Sequence, residues 1–218
     1  SSDDRIARNS PNPLSRGVAL NTRDDSPAGH ESAVGSSMTD RHELRDVRRT
    51  FDRIAPHFSK TRERPWPAVE RFIRTHEGDT ALDLGCGNGR HAELLAARVA
   101  SVIGLDLSRG QLEQARTRAR DRDFELDLLQ GEVTELPIRS GCVDIAVYIA
   151  TIHHLSSVGL RRQSLDELGR VLAPNGRALV SAWSVTHDRF DRTHGFDTAV
   201  EWTLPSGETV DRFYHVYD

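Results

Sequence analysis

Short apolar runs alternate with amphipathic stretches from about residue 80 onward, and this alternation sets the first structural expectation. The runs are "TALDL", "SVIGLDL", "FELDLL", "VDIAVYIA" and "GRALVSAW", each of strand length and rich in Val, Ile and Leu. Between them, residues 90–98, 111–120 and 160–172 carry apolar positions at helical spacing. Near-continuous apolar strands interleaved with such helices imply an α/β fold with an open, mainly parallel sheet flanked by helices. Upstream, Leu44, Val47, Phe51, Ile54 and Ala55 recur at helical spacing until Pro56, which is expected to stop the run. A second helix is expected over 67–76, with Val69, Phe72 and Ile73 on one side. Near the end, "EWTLPSGETVDRFYHVY" reads as a hairpin turning around Pro205 and Gly207.

The first 37 residues show no such pattern. They are rich in Ser, Asp, Asn, Pro and Gly, and are expected to be a disordered tail or a non-native extension. Met38, the one methionine, opens the helical pattern. Residues 38–218 then form one domain: N-terminal helices over 41–76, a core over 79–183 and the hairpin over 200–217. A formal net charge of -4 argues against a general basic coat for nucleic acid. A local basic patch stays open, because Lys60 is the one lysine and every other basic residue is arginine, the better fork for phosphate and carboxylate. A high-GC genome explains the same bias. Cys86 and Cys142 are the two cysteines, too few for a disulfide framework or a zinc quartet. With no membrane-length apolar run and no signal-peptide core, the expected setting is the cytoplasm.

The most informative stretch is "ALDLGCGNGR". Gly85, Gly87 and Gly89 follow the first apolar run, where a tight turn and a close backbone approach to a ligand are expected. Asp106 ends the next run about twenty residues later, where a carboxylate accepts ribose hydroxyls. That pair suits NAD or S-adenosylmethionine, and three features favour the second. The spacing is G-x-G-x-G, which is not the pyrophosphate loop. Asp83 would repel a pyrophosphate but stabilise a cofactor carrying an ammonium and a sulfonium. Glu132 follows the third run, within reach of an adenine amino group. Cys86, Leu107, Val133 and Ile149 complete the expected cofactor-binding set.

The run "DLGCGNG…GLDLS…GEVTELP" resembles the class I S-adenosylmethionine-dependent methyltransferases, a Rossmann-like fold, over residues 79–183. "IAPHFSKTRERPWPAVERF", "IATIHHLSSVGLRRQSLDELGRVLAPNGRALV" and "EWTLPSGETVDRFYHVY" together resemble the tRNA wobble-uridine methyltransferases, over most of 47–217. The resemblance implies methylation of the carboxylate of 5-carboxymethyluridine at tRNA position 34, giving the methyl ester. It implies the tRNA anticodon loop as substrate and a heterodimer with a small zinc-binding activator subunit, for which the "FELDLL" strand is the expected docking edge. It implies that Arg62, Arg212 and a histidine of the "IHH" run, His154 or His153, surround the modified uridine; His154 is the reading taken, since neighbours leave a strand in different directions. It also implies a helix and two further strands after "FYHVY", which the 218 residues lack, so that a five-stranded sheet is expected. Two rival readings are a small-molecule O- or C-methyltransferase of the quinone or metabolite type and a non-catalytic RNA-binding or scaffold subunit.

The same residues make chemical sense without the family. A carboxylate with a pKa near 4 is already a nucleophile at neutral pH and needs no general base; the protein must hold one oxygen in line with the methyl group and exclude water. Arg62, Arg64 and Arg212 offer donors for carboxylate or phosphate, and Trp66 and Tyr214 offer faces on which an unstacked base can rest. Blander readings stand beside these: the histidines bond to backbone at a strand end, Trp66 packs a helix entrance, and Arg62 and Arg64 form a solvated turn.

Overall fold

The computed structural model describes residues 18–21, 38–190 and 194–218. In chain order the elements are β1 (Val18–Asn21), α1 (Met38–Lys60), α2 (Pro67–Arg74), β2 (Thr80–Leu84), α3 (Arg90–Ala96) and β3 (Ser101–Asp106). They continue with α4 (Arg109–Arg122), β4 (Asp127–Gln130), β5 (Val143–Ile149), a 3-10 turn (Ile152–His154), α5 (Val158–Val171), β6 (Leu172–Ser181), β7 (Phe196–Thr203) and β8 (Thr209–Val216). The main sheet runs β1-β6-β5-β2-β3-β4, and β7 and β8 form a separate antiparallel pair. Strands β6 to β4 in that order are parallel neighbours.

Alternation along the central strands explains why both faces are dry. Leu82 and Leu84 of β2 and Ala146 and Tyr148 of β5 pack with Leu160, Leu168 and Val171 of α5. Ala81, Ile145, Val147 and Ile149 point the other way, onto Val69, Phe72 and Ile73 of α2 and Ala92 and Leu95 of α3. A strand buried on both sides needs apolar residues at nearly every position, as the sequence shows. Asp83 is the exception in β2, and it marks the site.

Three sequence expectations need correction. Pro56 does not stop α1, which continues to Lys60. The proline forfeits one backbone bond to Asp52, but the flanking turns are fixed from outside: Ile54 and Ala55 are fully buried, and Phe58 rests against Trp202 of the hairpin. Second, part of the stretch expected to be a tail is a strand. β1 pairs antiparallel with β6, Val18 opposite Val180 and Asn21 opposite Arg177, and it satisfies an edge that would otherwise leave backbone groups unpaired. Third, the main sheet therefore has six strands and not five.

Two contacts seat α1 over the carboxyl ends of the strands. Asp52 accepts from Ser108 Oγ at 2.7 Å and from Gly110 N at 2.9 Å, placing a carboxylate on the first turn of α4. Gly110 permits the approach, since a Cβ there would sit 3.0 Å from the Asp52 carbonyl and 3.1 Å from Ala55 Cβ. At the other side, Arg53 pairs with Glu208 at the hairpin tip.

Candidate active site

A cavity of about 1110 Å³ opens at the carboxyl ends of β2, β3 and β5, roofed by α1 and the segment that follows it. Of the residues expected in a site, Arg62, Arg64, Trp66, Gly85, Cys86, Gly87, Asp106, Leu107, Glu132, Val133, Ile149, His153, His154 and Tyr214 line it. Asp83, Gly89 and Arg212 do not. Asp83 lies one layer beneath the loop, Gly89 caps α3, and Arg212 is held behind Tyr214.

The glycine loop answers to its neighbours as much as to a ligand. Gly85, Gly87 and Gly89 have φ of 71°, 53° and 75°, in the left-handed region that disfavours side chains. A Cβ on Gly85 would lie 2.3 Å from Thr151 Oγ1, and one on Gly89 would lie 3.3 Å from Ala115 Cβ. Only Gly87 faces open space, where the nearest atom to such a Cβ is Gln111 Oε1 at 3.7 Å. The expected close approach of backbone to ligand thus belongs to Gly87, while the other two make room for the protein itself. Asp106 clamps the loop: its carboxylate accepts from Gly87 N at 2.8 Å and from Ser108 N at 2.9 Å.

Two carboxylates here are unusual electrostatically. Burial pushes Asp83 up to about 7, with the Ala92 backbone bond and the Arg90 charge pulling the other way. One of its oxygens, Oδ2, has no hydrogen-bond partner. Burial also raises Asp106, to about 6, against the pull of the Ser108 and Gly87 amides. Gln111 went unnoticed in the sequence. It is 1% exposed, lines the cavity, and leaves both carboxamide heteroatoms without partners. Its position three residues after the Ser108 cap is the signal that could have exposed it, because that places its side chain on the first turn of α4.

The opposite end of the cavity is built where β5 stops. Ala150 takes φ 52°, a strained value for a residue with a side chain, and turns the chain so that Thr151 covers Gly85 and the histidines swing inward. Arg161, buried on α5, ties the turn down by donating to the Leu155 and Ser156 carbonyls at 2.7 and 2.9 Å. His154 Nδ1 bonds to the Phe213 carbonyl at 2.8 Å, which leaves Nε2 as the lone-pair nitrogen. The backbone-capping reading therefore holds for His154, although the ring still lines the cavity. His153 stacks on Tyr214 at 4.5 Å and has neither nitrogen partnered. Burial holds His154 at about 3 and His153 well below the usual histidine range, so both are neutral.

Arg62 and Arg212, from opposite ends of the chain, meet on Trp202. Their guanidinium carbons stand 5.8 and 5.1 Å from its ring centre; Arg62 also lies 4.8 Å over Phe58, and Arg212 donates to Tyr214 Oη at 2.9 Å. Neither is in an ion pair among the described residues, and burial lowers the pKa of both. Two desolvated cations side by side are costly to bury, and nearby negative charge would lower that cost. Trp202 was missed because it is an isolated aromatic on a strand that reads as hairpin surface. Arg64 is exposed at the rim, and Trp66 packs with the α2–α3 layer, as the blander reading expected, while also lining the cavity beneath Arg90. Among the described residues no group of three or more His, Cys, Asp or Glu could hold a metal.

The sheet order, the glycine loop after β2 and the acid at the tip of β3 define the class: a class I, S-adenosylmethionine-dependent methyltransferase fold. A family model for the methyltransferase domain matches residues 82–180. The chain is 33% identical over 147 residues to the tRNA (carboxymethyluridine(34)-5-O)-methyltransferase of Mus musculus, covering 67% of this chain and 21% of that protein. It is 32% identical over 165 residues to the protein of that name from Schizosaccharomyces pombe, covering 72% of this chain and 68% of the other. A solved complex of a methyltransferase activator with a methyltransferase from Haloferax volcanii matches with a TM-score of 0.52 at 27% identity, over 61% of this chain and 58% of that one. The chain belongs to the tRNA (carboxymethyluridine(34)-5-O)-methyltransferase family. It spans 21% and 39% of the length of the curated relatives from mouse and Arabidopsis thaliana.

The residues present fit the cofactor of that class. The orphaned Gln111 amide and the Asp106 carboxylate stand beside Gly87 where a ribose would lie, and the partnerless Asp83 oxygen supplies buried negative charge under the loop. Leu107, Val133 and Ile149 provide apolar wall, and Glu132 an acceptor. No helix among the described residues is long and apolar enough to cross a membrane.

Proposed function

We propose that this protein transfers a methyl group to the carboxylate of 5-carboxymethyluridine at the wobble position of tRNA, forming the methyl ester. One observation carries the reading: Arg62 and Arg212 converge on Trp202 beside the cavity with no carboxylate to neutralise them. When bound, S-adenosylmethionine supplies an electrophilic methyl on a sulfonium. The chain's own residues do the rest. Arg62, which lines the cavity, takes the acceptor carboxylate or an adjacent phosphate, and Arg212 orients Tyr214 through its phenol oxygen. His153, Tyr214 and Trp66 give the base flat surfaces, and the neutral histidines leave the anionic nucleophile unprotonated. Arg48, Lys60 and Arg64, exposed on the same rim, meet flanking phosphates.

The partner in this reading is a small zinc-binding activator subunit docked along β4, the free edge of the parallel sheet. The setting is cytoplasmic, which suits the unpaired thiols of Cys86 and Cys142. The test is methyl transfer to tRNA carrying 5-carboxymethyluridine, with wobble nucleosides read by mass spectrometry. The ester should form with the wild type and fall at least about tenfold with Arg62→Ala, and Arg62→Lys should restore little, because a point charge does not replace a bidentate fork. Transfer only to small carboxylates or quinols would favour a metabolite methyltransferase instead.

A further inference from the structure

We infer that Asn88 is the positioning residue that holds Arg62 in place, so that the cofactor loop assembles the acceptor site. Asn88 sits between Gly87 and Gly89, where its neighbours suggest only a turn. Its side chain is nevertheless only 4% exposed, at the wall of the cavity, and reaches the segment that follows α1. The amide nitrogen donates to Arg62 O at 3.0 Å, Ser59 Oγ at 3.1 Å and Ser59 O at 3.3 Å. Two of these partners are carbonyls, which only accept, so the amide orientation is fixed by chemistry.

These bonds fall where α1 ends and its last carbonyls lack helical partners. Thr61 N and Oγ1 return to Phe58 O at 3.1 and 2.8 Å, and Arg62 N returns to Ser59 O at 3.0 Å. Asn88 supplies the remaining donors from a distant loop. The Arg62 guanidinium has no comparable anchor, since it makes only long contacts of 3.3 and 3.4 Å to Thr61 and lies over Phe58 and Trp202. Its placement is therefore set by its backbone, where Asn88 holds the Arg62 carbonyl while Arg118 and Arg90 hold the next two, at Glu63 and Arg64. The Asp106 clamp on Gly87 N fixes the same loop from the ribose side. Asn88 is the loop residue that touches Arg62 itself, so a change in the loop reaches Arg62 directly through that bond.

The assignment of Arg62 to the acceptor rests on the proposed function, so the experiment has two arms. In the first, Asn88→Ala and Asn88→Asp are compared with wild type by hydrogen exchange and by the rate of trypsin cleavage after Lys60 and Arg62. Exchange at residues 59–62 should rise about tenfold or more, with β2 and β5 unchanged, and Asp should be no better than Ala because its oxygens repel the carbonyls. In the second, an anticodon stem-loop carrying 5-carboxymethyluridine is titrated with and without S-adenosylhomocysteine. Asn88→Ala should weaken RNA binding about tenfold, and the Asn88→Ala/Arg62→Ala double variant should bind no more weakly than Arg62→Ala alone. S-adenosylhomocysteine affinity should stay within about threefold. Unchanged exchange, additive losses, or an equal loss of cofactor affinity would each overturn the positioning role. A wild type that ignores the RNA would sink the substrate reading, while the first arm would still decide whether Asn88 holds the segment.

Discussion

Asp83 shows how one residue trades stability for a site. Its folded pKa of about 7 lies above the ordinary 3.8, so the stability of the folded form is unimpaired below about pH 4 and is lost as pH rises through 7. The difference amounts to roughly 4 kcal/mol in the cofactor-free protein. Asp83→Asn should therefore raise stability in urea melts most at pH 8, less at pH 5, where the unfolded acid has already ionised, and little below about pH 4. The same variant should bind S-adenosylmethionine more weakly. In the wild type, a ligand bearing an ammonium and a sulfonium draws Asp83 into its charged form, so binding near pH 7 should release protons, measurable by calorimetry in two buffers. Affinity should rise with pH through that range. The histidines predict the opposite behaviour. With His154 at about 3 and His153 lower still, the single-turnover rate at saturating cofactor should be flat between about pH 6 and 8.5. A rate that follows a histidine titration and vanishes in His154→Ala would point to general-base chemistry on another acceptor.

Among the elements, α1 matters most, because it touches both ends of the cavity. Asp52 seats it on α4, Arg53 and Phe58 join it to the hairpin, and Arg62 leaves its carboxyl end. Gly110 is the narrowest point of that arrangement. Gly110→Ala would drive a methyl against the Asp52 carbonyl, which cannot retreat while its carboxylate caps the same turn. The expected loss is about 1–3 kcal/mol in denaturant melts, as for other over-packed contacts. Asp52→Ala frees the carboxylate anchor and should relieve part of that loss in the double variant. Purely additive losses would show that the two helices are not strained against each other. The hairpin contributes through its own small core of Val200, Tyr214 and Val216, packed with Trp183 and Phe196, which keeps Tyr214 and Arg212 in register with the histidine turn.

At the scale of the whole molecule, the sheet ends in β1 on one side and β4 on the other. Among the described residues β4 pairs with β3 alone, and it presents Asp127 and Gln130 to solvent. A regular edge invites strand addition, and β4 lies against the half of the cavity that holds Asp106 and Glu132. Co-expression with a small zinc-binding activator should give a one-to-one complex, slow exchange at the β4 amides and raise methyl transfer at least about tenfold. Full activity of the chain alone, or protection confined to another surface, would refute that docking site.

The alternation of apolar runs was enough to place the central parallel strands, though not their order, because a strand buried on both faces must be apolar throughout. The glycine spacing with Asp83 and Asp106 likewise determined the cofactor end, since local backbone geometry dictates those residues. The sequence misplaced the end of α1, because Pro56 is read locally and the contacts that hold the following turn come from residues 88 and 202. It also gave no reason to pair β1 with β6, a choice made by an edge more than 150 residues away. Which distant residues come together at and beside the cavity was decided by the tertiary structure alone. Arg62 and Arg212 share no local pattern, and only packing brings them to Trp202. His153 and His154 are adjacent in sequence, yet one is tied to the Phe213 carbonyl and the other is free. Asn88 and Gln111 looked like turn and helix surface until long-range contacts turned one toward Arg62 and the other into the cavity. Periodicity records burial, whereas convergence of distant side chains leaves no trace along the chain.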